Sequence, residues 1–541
     1  MLEMEKNNRG TLSKAQGHLN EESLNGKYTN RTDFGEAEVS TKLGLNTWRL
    51  AALTFFTVSG GPYGLEPIVK FGGPRNSLFA LLLIPWVWGL PMAMMTAELA
   101  SAIPEMGGYV VWVQRTMGDT WAFQNAMWNL FSNCMDNTLY PLLFLDYIED
   151  LAGHEFSYLT RVLVGSFLTI FLGYVNVVGV DVVGDGAGLF GILVLLPFIA
   201  LVFAGLFEGE MNVARWSDTI DEKSVSGFVT ILLWNGCGYD SAGTCAAEVE
   251  NPGKTYTNAM LITITLTSFV YVLPIMVGVC YAQDYDQWDD GYFVTIGQLT
   301  AGTWLGYWMT IAGSISALGL LNSTMCTTSR ALASMSSYGY VPTYFSSLHQ
   351  SYGTPYRAIA ANSLAIIGLL LTGLDFEAVA ELSMWLYSLT LMFEFAALVL
   401  LRMNEPMLKR PFRIPLSLNG VILMCVPPCI CSLVLIFVSQ GRTWVICMFI
   451  LIFSALGLIP YSRVHGKPLK VSLPSEIRHL LLRFGIYFNP PIRVSSDEGD
   501  RSNFPPPESQ GYLTEDSRTV ELQQRKVAGT SADGFTSISL N

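Results

Sequence analysis

Ser59-Gly60-Gly61-Pro62-Tyr63-Gly64 interrupts an apolar run that otherwise has the length of a membrane helix. Asn235-Gly236-Cys237-Gly238-Tyr239-Asp240 interrupts a second such run. Glycine releases the backbone from helical torsions, and proline removes an N–H donor. In hydrocarbon, unwound backbone persists only where protein or water satisfies it. A matched pair of breaks in the two halves of an apolar chain marks a ligand site near the membrane midplane.

The composition around these breaks is that of a membrane protein. The 541 residues are 51% hydrophobic and 14% charged, with a mean hydropathy of +0.37. Soluble domains carry about 25% charged residues. A net charge of -13 and a pI near 4.9 argue against a nucleic-acid partner. The nine cysteines fall almost entirely in apolar stretches, and the cluster Cys425, Cys429 and Cys431 has no histidine near it. They read as small buried hydrophobes, so no metal site and no cofactor are expected. No nucleophile–base or metal-spacing motif is present, so catalytic residues are not expected and an enzyme is disfavoured.

Twelve spans of helical length can be drawn, over about 47–69, 77–102, 121–149, 158–179, 188–208, 227–248, 258–281, 303–331, 357–374, 378–401, 418–438 and 443–461. Basic residues set the orientation. Lys42 and Arg49 flank the first span, Arg330 and Arg357 the loop after span eight. Arg402, Lys409, Arg410 and Arg413 follow span ten, and Arg463, Lys467, Lys470 and Arg478 follow the last. The loop after span seven has no base and carries Asp284, Asp286, Asp289 and Asp290. Lys70, Arg75, Arg215 and Lys223 are exceptions to the pattern. Both termini are therefore expected in the cytoplasm. Three regions follow: a polar N-terminal tail over 1–45 with no signal-peptide pattern, a twelve-helix domain over 46–462, and a Ser- and Pro-rich tail over 463–541. Ser475 to Tyr487 mixes leucines with Arg478 and Arg483, and reads either as an amphipathic surface helix or as plain solvated tail. The breaks lie in spans one and six, and this five-span separation fits two five-helix inverted repeats with two further helices.

Each break starts a second half-helix whose free N–H groups favour negative charge. Here the chain supplies acids itself, Glu66 after the first break and Asp240 at the end of the second. Asp240 could be a simple N-cap and Glu66 could face external water. Otherwise they leave negative charge for a cationic ligand, and Trp234 and Tyr239 add aromatic faces worth up to about 2 kcal/mol to a desolvated ammonium. Glu98, Asp136, Glu381 and Glu394 also lie inside apolar spans. A charge there costs about 2.5–3.5 kcal/mol and usually faces a cavity or a partner. Asp136 and Tyr140 share a helix face, and Glu381, Trp385 and, less closely, Tyr387 approach another. Such groups either line a substrate path or carry a coupling proton. Glu98 and Glu394 read instead as structural hydrogen-bonding groups near span ends.

SGGPYGLE (Ser59 to Glu66), PEMGGYVVWV (Pro104 to Val113), DNTLYPLLFLDY (Asp136 to Tyr147) and WNGCGYDSAGTCAAEVENP (Trp234 to Pro252) together give the chain a recognisable character. Ser329 to Pro355 adds a pattern of Ser-Arg, Val-Pro, His and Thr-Pro. Over 47–461 the chain resembles the amino acid–polyamine–organocation superfamily, nearest to the polyamine uptake and L-type amino acid transporters of plants and protists. The resemblance implies an all-α, twelve-span fold with broken helices one and six. It also implies secondary uptake by alternating access, with a mobile bundle of spans one, two, six and seven. It places substrate at Gly60, Gly61, Tyr140, Trp234, Asn235, Asp240 and Tyr387. Some proton-coupled relatives use a lysine in span five, and Gly188 to Phe207 has none. Coupling is therefore expected from Asp240, Asp136 or Glu381, while sodium would need hydroxyls such as Ser314 or Ser316. Glu248 and Glu250 could pair with Arg49 or Arg330 as an inner gate.

The resulting expectation is a plasma-membrane importer of putrescine or spermidine, coupled to protons. A neutral or cationic amino acid transporter is the alternative, and a nutrient sensor or subunit of a heteromeric complex a third. The absence of an obvious external-loop cysteine weighs against a disulfide-linked partner.

Overall fold

A computed structural model describes residues 44–207, 211–221, 224–373 and 376–465. Both expected tails, apart from their innermost residues, lie outside this range, as does Ser475 to Tyr487. The described secondary structure is helical apart from an isolated parallel bridge between Leu45 and Val249.

The first half of the domain contains α1 (Thr47–Val58), α2 (Pro67–Ile84), a π segment (Pro85–Gly89), α3 (Leu90–Ala102), α4 (Tyr109–Met117), α5 (Asp119–Ala152), α6 (Tyr158–Val178) and α7 (Val180–Phe207). The second contains α8 (Val225–Trp234), a 3-10 segment (Asp240–Glu248), α9 (Pro252–Tyr281), α10 (Phe293–Ala301), α11 (Thr303–Ser337), α12 (Tyr356–Leu370), α13 (Phe376–Asn404), α14 (Leu418–Val438) and α15 (Gly441–His465).

Local chemistry places these boundaries. Asn46 caps α1, its Oδ1 accepting from the N–H groups of Trp48 and Arg49 at 3.0 Å each. Pro67 opens α2, where a missing N–H costs nothing. Gly73, at φ +77, and Pro74 kink that helix, so helical backbone continues through most of the connection expected between the first two spans.

Eight helices among the described residues are long and apolar enough to cross a membrane, and α8 and α12 are shorter apolar helices. The difference from twelve has physical causes. The breaks leave α1 with 12 residues and α8 with 10. Helix α5 has 34 residues but carries Gln124, Asn125, Asn129, Asn133, Asp136 and Asn137. These polar groups cost hydropathy, and all but Asn125 make side-chain hydrogen bonds within the domain.

Burial separates interior from periphery. The most apolar windows of α13 and α11 are 72% and 67% buried, against 22% for α15. Outward faces such as Phe203, Phe207, Phe449 and Phe453 are apolar and exposed, as lipid contact requires.

Candidate functional site

The two breaks meet. After Val58 the chain turns through Gly60 at φ +61 and Gly61 at φ +113, torsions that favour glycine. A Cβ on Gly60 would lie 2.6 Å from Leu320. Gly238, at φ +96, comes closer still, because a Cβ there would lie 2.1 Å from the Thr57 carbonyl oxygen. Glycine is thus what allows the second break to rest on the end of α1.

Side chains then tie the breaks together. Asn235 Nδ2 donates to Gly64 O at 3.2 Å. The Tyr271 hydroxyl donates to Asn235 O and Val58 O. Helix α11 holds the first break from the other side, with Ser316 donating to Gly60 O and Tyr63 donating to Met309 O. Ser314 donates to Thr310 O within its own helix.

The second break carries the carboxylate. Asp240 is fully buried and begins the 3-10 segment, with Tyr239 at the cap position. Tyr387 on α13 donates to Asp240 Oδ1 and accepts from the Gly238 N–H at 3.2 Å. Asp240 Oδ2 has no hydrogen-bond partner. Asp136 on α5 is arranged differently. Its oxygens accept from Tyr140 at 2.6 Å and from Trp234 Nε1 at 2.8 Å. The Tyr140 and Trp234 rings stack at 6.5 Å, and Trp234 meets Phe376 edge-on at 5.5 Å. The structure therefore brings Gly60, Gly61, Trp234, Asn235, Asp240, Tyr140, Asp136 and Tyr387 into one connected region, all of them buried except the half-buried Asp136.

Glu381 lies elsewhere. It accepts from Gln440 N, Thr443 Oγ1 and Ser226 Oγ at 2.6, 3.0 and 3.3 Å. Trp385 also turns to α15, against Trp444 at 5.3 Å. The shared face expected for Glu381, Trp385 and Tyr387 is split, since Tyr387 points to Asp240. Glu66 does not face water. It is fully buried, and its Oε1 accepts from Gly291 N at 3.2 Å, joining the 282–292 loop to the first break. In that loop, burial and then the charges of Asp146, Asp289 and Glu377 push the Asp290 carboxyl up to about 8, against a smaller opposing pull from Lys70.

Two buried ion pairs brace the opposite end. Arg330 grips Glu248 at 2.6 and 3.0 Å. Arg49 pairs with Asp185 instead, at 2.6 Å. Arg402 forks onto Glu98, which also accepts from Ile414 N.

Sequence reasoning gave Glu394 only a structural role. Glu394 is fully buried, its Oε1 accepts from Asn129 Nδ2 at 3.3 Å, and its Oε2 has no hydrogen-bond partner. A usable signal was the spacing of Asn129, Asn133, Asp136 and Tyr140, which repeats on one face of α5.

Comparison with known proteins adds to this geometry. The family model described as amino acid permease matches residues 45–459. A polyamine transporter of Arabidopsis thaliana is 36% identical over 70% of this chain and 77% of its own length. A polyamine transporter of Oryza sativa subsp. japonica is 34% identical over 76% of each chain. A serine/threonine exchanger of Bacillus subtilis is 23% identical over 68% of this chain and 85% of its own.

Proposed function

The chain belongs to the amino acid permease family, and we propose that it imports polyamines such as putrescine and spermidine by alternating access. The observation that carries this reading is Asp240, a fully buried carboxylate at the helix break with one oxygen unpartnered. A substrate carboxylate at that place would meet a like charge. An ammonium would gain a charge-assisted hydrogen bond instead. The two plant relatives, both named as polyamine transporters, support a polyamine substrate.

In this reading Gly60 and Gly61 shape the backbone wall of the site. Trp234, stacked with Tyr140, offers an aromatic face, and Asn235 holds the two breaks in register. Tyr387 covers Asp240 until a cation displaces its hydroxyl. The domain has twelve spans arranged as two five-helix inverted repeats and two further helices, with both termini in the cytoplasm and the plasma membrane as its location. Spans one, two, six and seven move as a bundle around the paired breaks. A coupling proton rides on Asp136 or Glu381. No disulfide-linked partner takes part.

Uptake of labelled spermidine into proteoliposomes tests this function. An inward proton gradient should accelerate uptake, and Asp136→Asn or Glu381→Gln should remove that acceleration if the replaced residue carries the proton. Proteoliposomes that take up no spermidine under either condition would refute the polyamine reading.

A further inference from the structure

Two polar rows face each other in the centre of the domain. On α5, Asn129, Asn133, Asp136 and Tyr140 follow one another at intervals of four, three and four residues. On α13, Tyr387 and Glu394 stand seven residues apart, two turns along one face. Asn129 joins the rows through its bond to Glu394. Asn133 supports it, donating to Asn129 Oδ1 at 3.2 Å and to the Tyr109 hydroxyl at 3.0 Å. Tyr387 donates to Asp240, so both carboxylates meet the same face of α13, Asp240 at Tyr387 and Glu394 two turns on.

The carboxylates differ in how they are engaged. Glu98, Asp136, Glu248 and Glu381 each accept hydrogen bonds on both oxygens. Asp240 and Glu394 each keep one buried oxygen with no hydrogen-bond partner. Glu66 and Asp290 also each have a buried oxygen with no hydrogen-bond partner, but they belong to the 282–292 loop region, where Glu66 accepts from Gly291 N, and not to these rows. Two buried acids that influence each other repel when both are ionised, and a ligand carrying two positive charges relieves both.

We propose that Glu394, positioned by Asn129, is a second ammonium site, so that a substrate with two cationic nitrogens places one on Asp240 and the next on Glu394. This rests on the polyamine reading and sharpens it. The chain selects diamines and longer polyamines over single amines because only they span both carboxylates.

Binding to the purified full chain, measured by titration calorimetry with spermidine and with butylamine, tests the proposal. The unaltered chain should bind spermidine more tightly than butylamine. Glu394→Gln should weaken spermidine binding about tenfold or more, as expected for a lost charged hydrogen bond. It should leave butylamine binding unchanged, which also shows that the variant is folded. Glu394→Asp should recover part of the spermidine affinity. Undiminished spermidine binding in Glu394→Gln, or equal losses for both amines, would overturn the second site alone. An unaltered chain that binds neither amine would overturn the polyamine reading and this inference with it.

Discussion

Buried Asp240 and half-buried Asp136 lie in one connected region, and their surroundings differ. Asp136 is filled by two donors, whereas Asp240 has a tyrosine on one oxygen and nothing on the other. Replacing Asp240 with asparagine keeps the size and removes the charge that an ammonium would seek. Asp240→Asn should therefore reduce spermidine uptake by about ten- to a hundredfold, the range of a charged hydrogen bond. Uptake at the unaltered rate would remove Asp240 from the site. Tyr387→Phe is the companion variant. It frees Asp240 Oδ1 and should slow uptake less than Asp240→Asn when both are measured in the same vesicles. Asp240 was legible in the sequence because glycines announce the break and the acid closes it. Glu394 was not, since its distinguishing property is an oxygen left without a partner, which only tertiary packing decides.

At the scale of elements, short motifs predicted what the backbone does locally but not which distant side chains meet. The glycines at 60, 61 and 238 signalled unwinding, and the structure adds that Gly238 rests on the Thr57 carbonyl. The pairing of Glu248 with Arg330 was one of several combinations open to spacing alone, and the fork of Arg402 onto Glu98 spans 304 positions. Removing one member of a buried pair leaves an uncompensated charge, at a cost of about 3–5 kcal/mol. Glu248→Gln should accordingly lower the thermal unfolding temperature in detergent. The double replacement of Glu248 and Arg330 by methionine should lower it less. Equal losses would show that the pair acts through packing rather than charge.

The loop over 282–292 carries a separate prediction. The Asp290 carboxyl, raised to about 8, holds its proton in the folded chain at pH values where the unfolded chain, near the ordinary value of about 3.9, has released it. The folded state then binds more protons between those values, so this residue's contribution to stability declines as pH rises and levels off above about 8. Asp290→Asn should flatten that decline in a series of thermal melts. A variant with the same pH slope as the unaltered chain would show that Asp290 is ionised throughout.

At the scale of the whole molecule, apolar composition made a helical membrane fold legible, and the family match over 45–459 agrees with it. Counting spans by apolar length succeeded less well. A helix broken by glycines loses length, as α1 and α8 do, and a helix lined with polar side chains loses hydropathy, as α5 does. The same features that obscure the count identify the centre of the molecule. There the paired breaks leave a carboxylate where a carboxylate-bearing substrate would need positive charge. The most direct test of that claim is spermidine uptake into proteoliposomes in the presence of excess leucine. The account predicts that leucine leaves uptake unchanged while unlabelled putrescine suppresses it. Suppression by leucine with no effect of putrescine would contradict it and identify a site built for amino acids.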